Sequence, residues 1–201
     1  PFGDPFYYLR AILGSITELK REGVTPENFR KITDDERKNF ELIEDLYYVS
    51  GPHKGKMKGD YQKLQKQILK NKELAILYAG YRETLRARRL YDYSDMIMEV
   101  LRALQENKNL LLMLQEAHQY ILVDEHQDTN NAQNKIIELL CGFHATPNIF
   151  VVGDEKQAIF RFQGASLENF LYFKTLYPAA ELIVLEENYR STTSILDSAH
   201  S

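Results

Sequence analysis

The stretch Tyr120-Ile121-Leu122-Val123-Asp124-Glu125-His126-Gln127-Asp128 decides how this chain is read. Four apolar residues run without polar interruption into two adjacent carboxylates, the pattern of a buried parallel strand that delivers Asp124 and Glu125 to the carboxyl edge of a sheet. Ligands of open α/β sheets bind at that edge. A carboxylate pair placed there suits a nucleotide: one acid holds Mg²⁺, usually through water, and the other accepts a proton from an attacking water. Taken alone, the same residues also fit a strand that ends in a solvated acidic turn.

Outward from this stretch the rhythm repeats. Asn148–Val152 and Leu182–Leu185 read as further strands, separated by helical patterns over Ala132–Gly142 and Leu167–Leu176, so the second half predicts an α/β fold with a parallel sheet. Each strand ends in polar groups. Val151-Val152-Gly153-Asp154 leads into Glu155-Lys156-Gln157, and Leu185 into Glu186-Glu187-Asn188-Tyr189-Arg190-Ser191. The three strand ends are expected to converge on one edge, with acids, amides, an aromatic face and a guanidinium. Those are the groups that neutralise and orient a triphosphate.

Upstream the pattern is helical throughout. Leu9, Ile12, Leu13, Ile16 and Leu19 recur at helical spacing up to Gly23, and Thr25-Pro26 starts a second helix. Thr33-Asp34-Asp35-Glu36 has the form of a capping box ahead of Phe40, Ile43 and Leu46, which predicts a third helix to about Tyr48. Ser50 to Gly59, with three glycines and a proline, predicts a mobile basic loop. Lys54, Lys56 and Lys58 in it are read two ways, as contacts to a nucleic-acid backbone or as an ordinary solvated loop. A long helix from Asp60 ends in Arg82, Arg86, Arg88 and Arg89, which either face phosphate or cap the helix. Asp92-Tyr93-Ser94-Asp95 opens another helix, and Leu110 to Leu114 continues the layer.

Composition bounds the class. The 201 residues are 44% hydrophobic and 27% charged, ordinary for a globular protein, and no apolar run approaches the roughly 18–20 residues of a membrane span. Nothing near Pro1 resembles a signal peptide, and the single cysteine, Cys141, can form no internal disulfide, so a cytoplasmic, reducing setting is expected. The net charge of -4 hides a split: residues 1–90 carry 18 Lys and Arg against 13 Asp and Glu, whereas residues 91–201 carry 7 against 16. A basic first half suits phosphate backbones, and an acidic second half suits a metal or nucleotide site.

Asp124-Glu125-His126-Gln127-Asp128-Thr129-Asn130 resembles motif II of UvrD/Rep-type superfamily 1 DNA helicases, Gly153 to Ala165 resembles their motif III, and Leu185 to Ser191 their motif IV. Tyr91-Asp92-Tyr93-Ser94-Asp95-Met96 is similar to the aspartate-rich segment where that family's chain re-enters its first motor domain. The match covers roughly residues 78–195, and the order and spacing of the motifs make it specific.

The resemblance implies a partial RecA-like, P-loop NTPase-type sheet over 91–191, a helical insertion subdomain over 1–90 and the start of a following domain at 192–201. It implies ATP and Mg²⁺ as cofactors, single-stranded and duplex DNA as partners, and ATP-driven translocation and unwinding, 3′ to 5′, in repair or replication. Asp124 would organise Mg²⁺, Glu125 would activate the hydrolytic water, and Gln157 would sense the γ-phosphate with Gln127 beside it. Tyr189 would stack on adenine, and Arg190 would neutralise transition-state charge. Phe160 and Phe162 are similar to the family's aromatics that stack on single-stranded DNA, with a core position the alternative for either. Gln163 stands where arginine is common and Ala158 where serine is common. No Gly-x-x-x-x-Gly-Lys-Ser/Thr loop occurs, so an internal piece of a longer protein, inactive on its own, is expected. Two other readings remain: a nucleic-acid-binding module without catalysis, and a metal nuclease built on Asp124, Glu125, Asp128 and Asp154.

Overall fold

The computed structural model describes residues 6–154 and 167–200. The chain divides into two units, Pro1–Phe170 and Leu171–Ser201.

The first unit opens with α1 (Leu9–Arg21) and α2 (Pro26–Glu41). Gly23, at φ +70°, ends α1 in the left-handed conformation that glycine adopts without penalty. Thr25 caps α2 by accepting the Asn28 N–H, and Pro26 occupies its first turn. A separate third helix from Thr33 does not form. Thr33 is instead buried on the same face of α2 as Phe29 and Phe40, and its hydroxyl donates to the Arg30 carbonyl at 2.8 Å. Burying that face against α3 (Gly59–Ala87) outweighs the local option of capping, so one helix runs through the predicted break. Residues 42–58 then run as turns closed by an antiparallel bridge between Tyr47 and Met57.

Next come α4 (Tyr93–Glu106) and α5 (Lys108–Ala117). Asp92 caps α4 reciprocally: its carboxylate accepts the Asp95 N–H at 2.8 Å, and Asp95 accepts the Asp92 N–H at 3.0 Å. The helices of the first ninety residues do not stand apart from the later ones, because α1 packs on α4 and on α6 (Asn131–Cys141) as well as on α3. Lys20 makes that junction. Although a lysine, it is only 1% exposed, with its ammonium 2.7 Å from Asp92 and 2.6 Å from Asp95. The Tyr81 ring of α3 lies 4.9 Å from the same ammonium, and the Tyr81 hydroxyl donates to Asp92 at 2.9 Å.

Among the described residues the sheet has two parallel strands, β1 (Ile121–Val123) and β2 (Ile149–Val151), in the register Ile121↔Ile149, Leu122↔Phe150, Val123↔Val151. They are joined through α6, giving a β-α-β unit, with Asn130 and Gln133 forming the capping box at its start. The expectation of a fully buried strand is corrected. Ile121 and Val123 are half-buried, but Leu122 is 75% and Phe150 55% exposed, because α6 packs on β1 from one side and the other face is open.

The second unit holds most of α7 (Leu167–Leu176) and α8 (Thr193–His200). No strand forms over Leu182–Leu185, whose side chains are all exposed. An apolar run becomes a strand only through a hydrogen-bonded neighbour, which the run itself does not specify. Of the predicted β-α-β-α-β pattern, the first two strands and both helices, α6 and α7, form, and the last strand does not.

Lys20→Met should cost about 2–4 kcal/mol in chemical denaturation: breaking a buried ion pair typically costs about 3–5, and Asp92 keeps some solvent. Burial opposes the charged form of Asp92, yet the Lys20, Asp95 N–H and Tyr81 contacts hold its carboxyl below the ordinary value near 3.8. A carboxyl depressed in the fold contributes stability above its unfolded pKa and loses it as pH falls through the folded value. The stability gap between wild type and Lys20→Met should therefore narrow below about pH 3.8.

Candidate functional site

The carboxyl ends of β1 and β2 lie side by side, and their pairing extends past the strands. Val152 N–H donates to Val123 O at 2.8 Å, and His126 N–H donates to Val152 O at 2.9 Å. Between these bonds the chain reverses at Glu125, whose φ of 50° and ψ of 42° are left-handed. A non-glycine residue held there stores about 1–3 kcal/mol of strain, and such residues cluster at functional sites. A single 3-10 turn, His126–Asp128, follows and leads through Thr129 into α6.

This turn sorts the side chains. Asp124 and Glu125 face solvent, while His126 and Gln127 are buried. Asp124 Oδ1 accepts the Glu125 N–H at 2.9 Å. Gln127, 2% exposed, uses both ends of its amide: Nε2 donates to Glu125 Oε2 at 2.6 Å, and Oε1 accepts the Asp154 N–H at 2.9 Å. One side chain thus orients the Glu125 carboxylate and ties it to the chain leaving β2. Burial holds the His126 imidazole below the ordinary value near 6.5, so the ring is neutral at pH 7.

Gly153 makes this arrangement possible. A Cβ at that position would sit 2.8 Å from Gln127 Oε1 and 3.3 Å from the Gln127 nitrogen, so any side chain would push the amide out of place. Neither the Gln127 clamp nor the need for glycine at 153 follows from the strand pattern. The one sequence signal is a glycine at a strand end, where the backbone passes close to something.

The other expected site residues fall in three groups. Gln157, Phe160 and Phe162 lie outside the described residues. Tyr189 and Arg190 belong to the second unit and are exposed, on a turn in which Asn188 Oδ1 accepts the Arg190 and Ser191 N–H groups at 2.9 Å each. Lys54 and Lys56 are exposed, whereas Lys58 is engaged by Asp45. Among the described residues no group of three or more His, Cys, Asp or Glu side chains comes together in a metal-holding arrangement.

The family model described as UvrD/REP helicase N-terminal domain matches residues 9–178. The chain belongs to this family. It is similar to the ATP-dependent DNA helicase PcrA of Bacillus subtilis, 35% identical over 191 residues that make up 95% of this chain and 21% of the relative. The PcrA of Staphylococcus epidermidis is 32% identical over the same shares. That of Leuconostoc citreum is 39% identical over 64% of this chain and 17% of the relative. The chain thus spans about a fifth of the length of the curated relatives it matches. Within this UvrD/REP chain, among the described residues, no helix is long and apolar enough to cross a membrane.

Gln127→Ala should destabilise the chain by about 1–3 kcal/mol, the cost of a buried donor or acceptor left without its partner. Gly153→Ala should reproduce part of that loss by displacing the same amide, and combining the two should give less than the sum of the single effects. Urea titrations of the four proteins measure this, and strict additivity would separate Gly153 from the clamp.

Proposed function

We propose that this chain is part of an ATP-driven DNA motor, in which the Asp124–Glu125 edge meets the nucleotide. The observation that carries the reading is the strand-end carboxylate pair, with Glu125 held by Gln127 at 2.6 Å beside the end of a second parallel strand. The relatives' printed names, ATP-dependent DNA helicases, support the same reading.

The donor set fits magnesium. Asp124 is exposed and belongs to no protein cage among the described residues, and Mg²⁺ is commonly held by one or two carboxylates with water and phosphate completing its shell. Bound there, the ion would neutralise charge on the phosphates. Glu125, its carboxylate aimed by the Gln127 amide and its backbone fixed by the left-handed turn, is positioned to take a proton from an attacking water. Buried His126 ties the turn to the chain leaving β2 through its own N–H to Val152 O, and no chemical role is assigned to its ring.

The finer assignments belong to the same proposal. Gln157 senses the γ-phosphate, Tyr189 stacks on adenine and Arg190 offsets transition-state charge. Phe160 and Phe162 stack on single-stranded DNA, and Lys54, Lys56 and Lys58 meet the backbone, with Lys58 the weakest of the three because Asp45 already neutralises it. The sheet is RecA-like, residues 1–90 are an insertion into it, and 192–201 open the next domain. Movement is 3′ to 5′, in cytoplasmic DNA repair or replication.

Catalysis by these residues needs a phosphate cradle that this stretch does not encode, since no Gly-x-x-x-x-Gly-Lys-Ser/Thr occurs in it. A phosphate-release assay with Mg²⁺, ATP and single-stranded DNA should therefore find no turnover by the 201-residue chain. The full-length parent should turn over ATP, and its Glu125→Gln variant should lose about 10²–10⁴-fold, the usual contribution of a general base. Turnover by the chain itself that disappears in Glu125→Gln would overturn the cradle argument. An active Glu125→Gln parent would overturn the role of Glu125.

A further inference from the structure

Residues 46–58 form a tied hairpin rather than a loose loop. Lys58 N–H donates to Leu46 O at 2.9 Å, Tyr48 N–H to Lys56 O at 3.0 Å, and Gly55 N–H to Tyr48 O at 2.8 Å. The tip closes through Lys54 N–H to Gly51 O at 3.1 Å and Lys56 N–H to His53 O at 2.9 Å. Gly51 and Gly55, at φ +81° and +78°, take left-handed positions that a side chain would strain. The base is braced by the Lys58–Asp45 ion pair, and the Tyr48 ring lies 5.8 Å from His53 and 5.9 Å from the Lys58 ammonium.

This bracing leaves certain groups over. Tyr47 is 50% and Val49 82% exposed, on a backbone already ordered by cross-strand bonds. Lys54 and Lys56 are exposed, and among the described residues no carboxylate lies within ion-pair distance of either. Residues 50–58 contain three lysines and no acid. An exposed aromatic ring on an ordered hairpin that also carries spare ammonium groups has the chemistry of a single-stranded nucleic-acid contact: a base stacks on the ring and phosphates pair with the cations. The exposed apolar side chains of the hairpin, Tyr47, Tyr48 and Val49, share it with lysines rather than forming the extended apolar core of a stable protein interface.

We propose that this hairpin is a nucleic-acid contact of its own, with Tyr47 the stacking platform for an unpaired base and Lys54 and Lys56 the phosphate contacts. The proposal rests on the nucleic-acid reading above and adds to it a stacking residue and a preorganised finger on a different element from the strand-end carboxylates. Ordering costs are reduced because the backbone is already fixed.

The test uses the 201-residue chain and a labelled oligothymidylate, read by fluorescence anisotropy over a salt series, with circular dichroism to confirm folding of each variant. Tyr47→Ala should weaken binding about tenfold and Tyr47→Phe should restore it. Lys54→Ala with Lys56→Ala should lower the slope of log K against log salt by about 1.4, two single-strand phosphates. A blunt duplex should bind without any effect of Tyr47→Ala, and an equal effect on both nucleic acids would overturn stacking. Unchanged affinity and slope in the hairpin variants, with Phe162→Ala still weakening binding, would overturn the hairpin contact while leaving the family reading intact. No binding by the unaltered chain at low salt would overturn both.

Discussion

An ammonium group buried between two aspartates holds the helical layer together. Lys20 comes from α1, Asp92 and Asp95 from the cap and first turn of α4, and Tyr81 from α3, so three helices meet at one charge. Two carboxylates around one ammonium leave a formal excess of negative charge, and the start of α4 offsets it: both acids sit where the N-terminal end of the helix dipole favours anions. The capping box does double service. The carboxylates that bond the orphan N–H groups of α4 also present the oxygens that Lys20 needs, so the position of α1 is set by how α4 begins.

The same economy governs the strand ends. Left-handed backbone at Glu125 costs free energy, and the compensation is local: His126 N–H bonded to β2, Gln127 bonded at both ends of its amide, and Asn130 capping α6 immediately afterwards. Because Gln127 joins Glu125 to Asp154, moving either strand end moves the carboxylate. A base that must meet a water within hydrogen-bond reach benefits from such coupling, since geometry lost at this scale costs rate.

How much of this was legible depended on whether the signal was local. Helix starts at Thr25-Pro26 and Asp92–Asp95 were readable because the cap residues act on their own backbone. So was the strand that delivers Asp124 and Glu125, because an apolar run ending in charge marks a boundary whatever it packs on. Thr33 misled for the opposite reason: its cap-like pattern is local, but burial beside Phe29 and Phe40 is tertiary, and the tertiary term won. Leu182–Leu185 misled likewise, since a strand is a pair property. Lys20 and Gln127 carried no readable sign of burial, because their partners lie on other elements or in the turn geometry itself.

Places where a chain breaks a local rule are informative in proportion to whether the break is compensated. Lys20 breaks the rule against buried charge, and two aspartates compensate within 2.7 Å. Glu125 breaks the rule on backbone sign, and the Gln127 clamp with its flanking ladder compensates. Tyr47 and Val49 break the rule that a well-bonded hairpin spends its apolar groups on a core, and nothing within the hairpin compensates for them. Cross-strand bonds and two left-handed glycines fix the backbone beneath a half-exposed Tyr47 and an 82% exposed Val49. An ordered backbone that holds exposed apolar and cationic groups is what the proposed nucleic-acid contact would use, since the ordering cost is already met on folding.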